Sequence, residues 1–314
     1  MGGFGEFDSL VEQIGSRSLG RPVVVEPHVS DAVEAVVSEI AEHGGSAVLV
    51  GDEERISALL RQLRAPTESF EVRHASDSAV AVRIAVEEVQ AGRAEFVVKG
   101  SIPTAALLRG MLGRERLGTG RVASHLYVIE APAYRNRVLA LTDAGVNIAP
   151  DLTTKADIVR NAVDALAMLG ITRARTAVLS AVEMVKQELS SATDAALLTV
   201  MGQRGQLGTL DIDGPLSIDA ALLAAAARDK ALSGEVAGNA DLLVAPAIDA
   251  ANMVGKALIG ETGRAMGVVV GARVPVALPS RGDSLWTRRL SLRLASYLVP
   301  VAHGAEPAAR VRAS

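Results

Sequence analysis

The sequence predicts an α/β protein of two domains built on mostly parallel sheets. Short apolar runs alternate with longer stretches whose apolar residues recur at helical spacing, which is the grammar of βαβ units. Apolar residues make up 49% of the chain and aromatics only 3%, so the core must be built from Ala, Val, Leu and Ile. Such a core suits parallel strands covered by helices. The length of 314 residues exceeds the roughly 100 to 200 residues of one domain.

The elements follow in order. Residues 31 to 43 have helical periodicity and stop at Gly44-Gly45, a helix-ending signal. Strands are expected at Ala47–Val50, Phe70–Arg73 and Phe96–Val98, with helices at Glu53–Leu63, Ser78–Ala91 and Pro103–Leu112. Proline at an early helical position fits the last of these. The second half repeats the pattern: strands at Val138–Leu141, Ala177–Leu179, Asp241–Val244 and Val274–Leu278. Its helices are Thr154–Leu169, one after Ser180 whose early turn contains Glu183, then Ala220–Ala231, Ala251–Ile259 and Ser284–Val299. Polar residues follow strand after strand, placing Lys99, Ser101, Asp143, Asn147, Ser180 and Ser280 on turns expected to line a crevice at the carboxyl ends of the strands.

One block concentrates the chemistry. After the apolar run Val274–Leu278, Pro279 delivers Ser280, Arg281, Gly282, Asp283 and Ser284 where a buried strand meets solvent. Arg281 can grip phosphate or carboxylate oxygens in a fork, the Ser280 and Ser284 hydroxyls can donate to a developing oxyanion, and Asp283 can accept a proton. The same block also reads as a polar turn in which Asp283 caps the helix starting near Leu285.

Several function classes are excluded by composition and motif. A net charge of −4 gives no electrostatic reason to expect nucleic acid. The absence of cysteine removes disulfides, thiolate metal sites and a cysteine nucleophile. No Walker loop or dinucleotide fingerprint follows a strand, and the five histidines lack the spacing of a catalytic zinc site. Asp211-Ile212-Asp213-Gly214 lacks the remaining ligands of a calcium loop and is expected to be a turn before Pro215. The N-terminus has no basic leader and no apolar stretch reaches a membrane span of about 20 residues, so a cytoplasmic protein without membrane contact is expected.

With these residues in view, the chain resembles the phosphate acetyltransferase and phosphate butyryltransferase family, and its length and Ser-Arg-Gly-Asp-Ser block are closer to the butyryl branch. The matching stretches run in order: Val98-Lys99-Gly100 with Thr104 and Leu107-Leu108-Arg109, Ser124-His125, and Leu141 through Leu152. They continue with Leu179 to Glu183, Asp213-Gly214-Pro215-Leu216 with Asp219, Asn252 with Lys256, and Ser280 to Ser284. The resemblance implies reversible acyl transfer between coenzyme A and inorganic phosphate. Coenzyme A is then a substrate, with no cofactor and no metal. It further implies a cleft between two α/β domains related to the isocitrate/isopropylmalate dehydrogenase type of fold.

Carried over residue by residue, the base on the coenzyme A thiol falls on Asp283, the hydroxyl donor on Ser280 and the phosphate grip on Arg281, with Arg109 and Arg137 matching the family's other arginines. In acetyl-type members the carboxylate stands several residues beyond the Ser-Arg pair, whereas here Asp283 follows Arg281 by two, as in the butyryl pattern. Lys99, Ser124, His125, Asp143, Asn147, Asn252 and Lys256 complete the expected substrate-binding set. Arg109 also reads as a solvated helix-surface residue, and Ser124-His125 as the shaper of a strand entrance. Glu183 and Lys256 either pair across the cleft or serve as helix-surface charges.

The expected domains are 1–144 plus 273–314, a discontinuous unit, and 145–272. A homodimer or larger assembly is expected from the apolar helix faces. Two other classes fit parts of the pattern: a non-catalytic acyl-coenzyme A-binding or regulatory module of this fold, and a metal- and NAD-dependent decarboxylating dehydrogenase. Asp241 and Asp249 have the wrong spacing for the metal set of the latter.

Overall fold

The structure is a computed structural model that describes residues 3–28, 30–279 and 282–299. Its strands are β1 (Pro22–Val25), β2 (Ala47–Gly51), β3 (Phe70–His74), β4 (Phe96–Lys99), β5 (Ser124–Ala131), β6 (Arg137–Thr142), β7 (Ala174–Leu179), β8 (Leu210–Leu216), β9 (Leu242–Val244), β10 (Arg264–Val270) and β11 (Val276–Ala277). They form one sheet in the order β3-β2-β1-β4-β11-β10-β5-β6-β9-β7-β8. Pairing is parallel except at its centre, where β10 runs antiparallel to both β11 and β5, and β5 antiparallel to β6. Three reversals separate β4 from β6. The two parallel halves therefore point their carboxyl ends in opposite directions.

Helices cover both faces, and short polar side chains start them. Asp52, Asp77 and Asp151 accept the N–H groups of Arg55, Val80 and Thr154 at 3.1, 2.9 and 2.8 Å, capping the helices Glu53–Gln62, Ser78–Gln90 and Leu152–Met168. Each cap satisfies an N–H that has no partner inside its helix and is worth about 1 kcal/mol.

Alternation along the strands sorts the core into two unlike faces. On one face Phe96, Val98, Leu126, Val128, Val268 and Val244 belong to a continuous apolar layer spanning both halves. On the other face the apolar layer is split. Val23, Val97, Val269 and Val276 pack with Leu107 in the first half, while Ile129, Leu139, Leu141 and Leu243 pack with Ala251 and Leu258 in the second. Between these two cores the sheet presents His125, Tyr127 and Gly267. A crevice opens there, bordered by Thr104 from one set of helices and by Asn252 and Lys256 from the other.

Several expectations are corrected. The chain has strands at β1, β5, β8 and β10 that the apolar-run reading passed over. In β5, Ser124, His125, Tyr127 and Glu130 interrupt the apolar run, and only a sheet neighbour on each side makes that stretch extended. Asp211–Gly214 is part of β8 and not a turn. Pro215 is tolerated there because β8 is the edge of the sheet, where a missing N–H leaves no ladder bond unmade. Residues 181–189 form a loop, and the helix begins only at Ser190. The expected helix 220–231 divides into Ile218–Leu222 and Ala224–Asp229 because Leu223 is extended, with φ −117° and ψ 113°.

Candidate functional site

The register brings the ends of two opposed strands to one place. Val97 pairs with Val276, Val276 with Val269, and Val269 with His125, so these four residues form a row across the sheet. Gly267, Tyr127 and Leu141 form another row. Lys99 ends β4 two residues beyond Val97, and the loop 143–147 leaves β6 just beyond Leu141. Opposite-running strands thus deliver Lys99 from one side and Ala144-Gly145 from the other.

The resulting pocket has a volume of about 360 Å³ and brings together Lys99, His125, Asn252, Lys256 and Asp283 of the expected set. Tyr127, Gly267, Thr104, Leu278 and Pro279 join the lining. Asn252 and Lys256 are one helical turn apart on Ile248–Ile259 and so share a face. The Asn252 amide also donates to the Ala144 carbonyl at 3.4 Å, tying this helix to the loop after β6.

Asp283 is not the cap of the last helix. That role belongs to Ser284, whose hydroxyl accepts the Thr287 N–H at 3.1 Å and donates to the Thr287 hydroxyl at 3.1 Å. Asp283 lines the pocket instead, and its negative charge reaches both His125 and Tyr127. Burial pushes the Tyr127 phenol up to about 12, with Asp283 adding to the effect. Burial also lowers the His125 pKa, against the opposing pull of Asp143 and Asp283, which favours a neutral imidazole.

Other expected residues stand outside the lining. Asp143 is buried at 4% exposure. Its carboxylate accepts the main-chain N–H groups of His125, Gly145, Val146 and Asn147, each at 3.0 Å, and the Asn147 side-chain amide at 2.6 Å. Asn147 also donates to the Ala123 carbonyl at 2.8 Å. These two residues use their hydrogen-bonding capacity to shape the loop that borders the pocket. Ser124 is buried on the opposite face of β5, with its hydroxyl accepting from Asn161 at 3.1 Å.

Neither expected arginine enters the lining. Arg137 lies at the other end of β6, where its guanidinium donates to the carbonyls of Leu222, Gly238 and Ala240 at 3.3, 3.3 and 2.8 Å. Arg109 is exposed and lines a separate groove with Arg83 and Arg116. Glu183 is not paired with Lys256 across the crevice. It accepts from Lys230 at 2.7 Å and from Ser217, and Lys230 also reaches Asp219. Ser280 and Arg281 lie outside the described residues.

Tyr127, Gly267 and Ser291 are among the lining residues that the sequence analysis did not single out. A period-two reading of Ser124–Ala131 would have placed Tyr127 on the face of His125. Gly267, inside the apolar stretch Arg264–Val270, carried the signal of a close approach: a Cβ built there would lie 2.6 Å from His125 Nε2.

A carboxylate, two ammonium groups and an imidazole are thus gathered beside converging strand ends in a mixed α/β protein. The chain belongs to the phosphate acetyl/butaryl transferase family, whose match covers residues 13–287. It is 35% identical over 294 residues to a phosphate butyryltransferase of Clostridium acetobutylicum, covering 93% of this chain and 97% of that protein. It is likewise 35% identical to a phosphate acetyltransferase of Rhizobium meliloti, covering 97% and 96% of the two chains. The fold is similar to a branched-chain phosphotransacylase from Enterococcus faecalis V583, with a TM-score of 0.77, 30% identity, and coverage of 89% of this chain and 99% of that one.

Proposed function

We propose that the pocket between the split cores is where this phosphate acyltransferase moves a short-chain acyl group reversibly between coenzyme A and inorganic phosphate. The observation that carries the assignment is the meeting of Asp283 with Lys99 and Lys256 in a single pocket of a chain that belongs to this family.

In the direction from acyl phosphate, Asp283 takes the thiol proton as the coenzyme A sulfur attacks the acyl carbon. A C–S bond forms and the carbonyl electron pair moves onto oxygen. Collapse restores the carbonyl and breaks the C–O bond to phosphate, which leaves with that electron pair. A thiol is mostly protonated at neutral pH, so a placed carboxylate assists the attack even when its own pKa is low. Lys99 and Lys256 supply positive charge for phosphate groups. Arg281 and Ser280 are proposed, on the resemblance, to hold phosphate and to donate to the acyl oxygen.

The finer readings rest on the same footing. The division into 1–144 plus 273–314, of which 300–314 lie outside the described residues, and 145–272 is supported by β11 returning to pair with β4 of the first half. The opposed half-sheets support the isocitrate/isopropylmalate dehydrogenase type of fold. A homodimer or larger assembly is supported by exposed apolar residues such as Leu197 and Val200 on Ser190–Gln203. A cytoplasmic location fits substrates that are intracellular metabolites.

The test is thiol release from a panel of acyl-coenzyme A substrates, with and without phosphate and in chelator. Phosphate-dependent release that persists in chelator, and that Asp283→Asn slows by about 100-fold or more, is expected from the loss of a general base. An Asp283→Asn protein that is folded and turns over at the wild-type rate removes Asp283 from the chemistry.

A further inference from the structure

His125 is held in the pocket more tightly than a substrate-contacting surface residue needs. Its main-chain N–H is fixed by Asp143 at 3.0 Å, and its carbonyl accepts the Thr142 hydroxyl at 3.0 Å. Its ring meets the Tyr127 ring at a centroid distance of 5.3 Å and an interplanar angle of 45°. Two glycines leave space for it: a Cβ built on Gly267 would stand 2.6 Å from Nε2, and one built on Gly145 3.5 Å from Cγ. Both glycines line the pocket.

The two ring nitrogens differ. Nδ1 is buried with no hydrogen-bond partner among the described residues, whereas Nε2 lies over Gly267 on the pocket side of the sheet. A neutral imidazole carries one donor and one acceptor nitrogen. Placing the hydrogen on Nδ1 would bury an N–H with nothing to accept it, which native structures rarely do. Placing it on Nε2 leaves only a lone pair in the dry position and turns a donor toward the pocket.

We propose that His125, as a neutral imidazole, donates its Nε2–H to the acyl carbonyl oxygen and strengthens that bond as the oxygen becomes an oxyanion in the tetrahedral intermediate. The imidazole keeps its proton throughout. Proton removal stays with Asp283, so the inference rests on the pocket being the site of acyl transfer. Asp143 and Asp283 are the carboxylates that act on the ring, and Tyr127, Lys99 and Lys256 share its pocket. Preorganised neutral donors of this kind act where charge develops and need no rearrangement at the moment of reaction.

The experiment compares His125→Phe, His125→Gln, Gly267→Ala and Asp283→Asn in steady-state turnover of a short-chain acyl-coenzyme A with phosphate, each checked for its melting temperature. Phe fills the ring's space without a donor, so kcat should fall by about 100- to 1,000-fold with KM for the thioester changed by less than about threefold, the loss seen when one oxyanion donor is removed. Gln can bring an amide N–H to the place of Nε2 and should recover at least about tenfold of that loss. Gly267→Ala displaces the ring without deleting it and should lower kcat by about tenfold, which keeps the proposal testable if Phe does not fold. A wild-type kcat for folded His125→Phe, or for folded Gly267→Ala, overturns the proposal, and so does a Gln variant as slow as Phe. If Asp283→Asn also turns over at the wild-type rate, the assignment of the pocket itself fails, and His125 falls with it.

Discussion

The Asp143 carboxylate accepts the main-chain N–H of His125 at 3.0 Å, so the residue that follows β6 fixes the second residue of β5. The contact joins the floor of the pocket to its wall. It also explains why Asp143 sits in a strongly patterned stretch of sequence without lining the pocket.

Asp143→Ala should therefore destabilise the protein by about 3 kcal/mol or more, since the buried N–H groups that met the carboxylate lose their acceptor. Asp143→Asn retains one acceptor oxygen and should cost less. Denaturant unfolding measures both. Loss of substrate affinity with unchanged stability would instead return Asp143 to direct substrate contact.

Arg137 offers the opposite contrast with an expected phosphate ligand. Its N–H groups are committed to main-chain carbonyls, and burial pushes its pKa down. Arg137→Gln should lower stability by about 1 to 3 kcal/mol while the KM for phosphate stays within about twofold. A large rise in that KM at unchanged melting temperature would contradict the structural role.

Tyr127 should titrate at about 12 in the folded protein, far from an ordinary phenol at 10.0. Burial favours the neutral phenol in the native state, so the stability it lends is whole below pH 10 and declines as the pH rises toward about 12. Difference absorbance against Tyr127→Phe resolves this titration among the three tyrosines. Asp283→Asn should move it downward by removing the smaller, charge-based part of the effect. No movement would place the Asp283 carboxylate away from the phenol.

The Lys230 cluster makes an acid-side prediction. Ser217 and then Lys230 hold the Asp219 carboxyl at about 2, below its ordinary 3.8, and Lys230 and then Ser217 lower Glu183 as well. A depressed carboxylate pKa contributes stability that is present above its unfolded value and lost as the pH falls through the folded one. Stability should thus decline between about pH 4 and pH 2, and Lys230→Met should flatten part of that decline. An unchanged acid limb in Lys230→Met would show that the cluster lends no measurable stability in solution, as exposed ion pairs often do not.

The alternation of apolar runs and amphipathic helices was enough to establish the α/β class, and most helices lie within a few residues of their expected positions. Asp52, Asp77 and Asp151 show why: a cap acts on the N–H groups two or three residues ahead, so local order announces the helix. The ordered motifs from Lys99 to Asp283 likewise placed the chain in its family, because residue identity in order survives without knowledge of packing. What the linear order could not contain was direction. Lys99 ends one strand and Asp143 follows another, and nothing local distinguishes two strands that run together from two that run oppositely. The antiparallel pairings of β11, β10, β5 and β6 decide that, through ladder bonds between residues as distant as Gly267 and Tyr127. The same pairings decide which side chains face the gap between the split cores. Tertiary structure alone therefore turned Asp143 and Arg137 toward main-chain partners and brought His125, Tyr127 and Asp283 to one pocket, because burial leaves each polar group to be satisfied by whichever partner the packing places within reach.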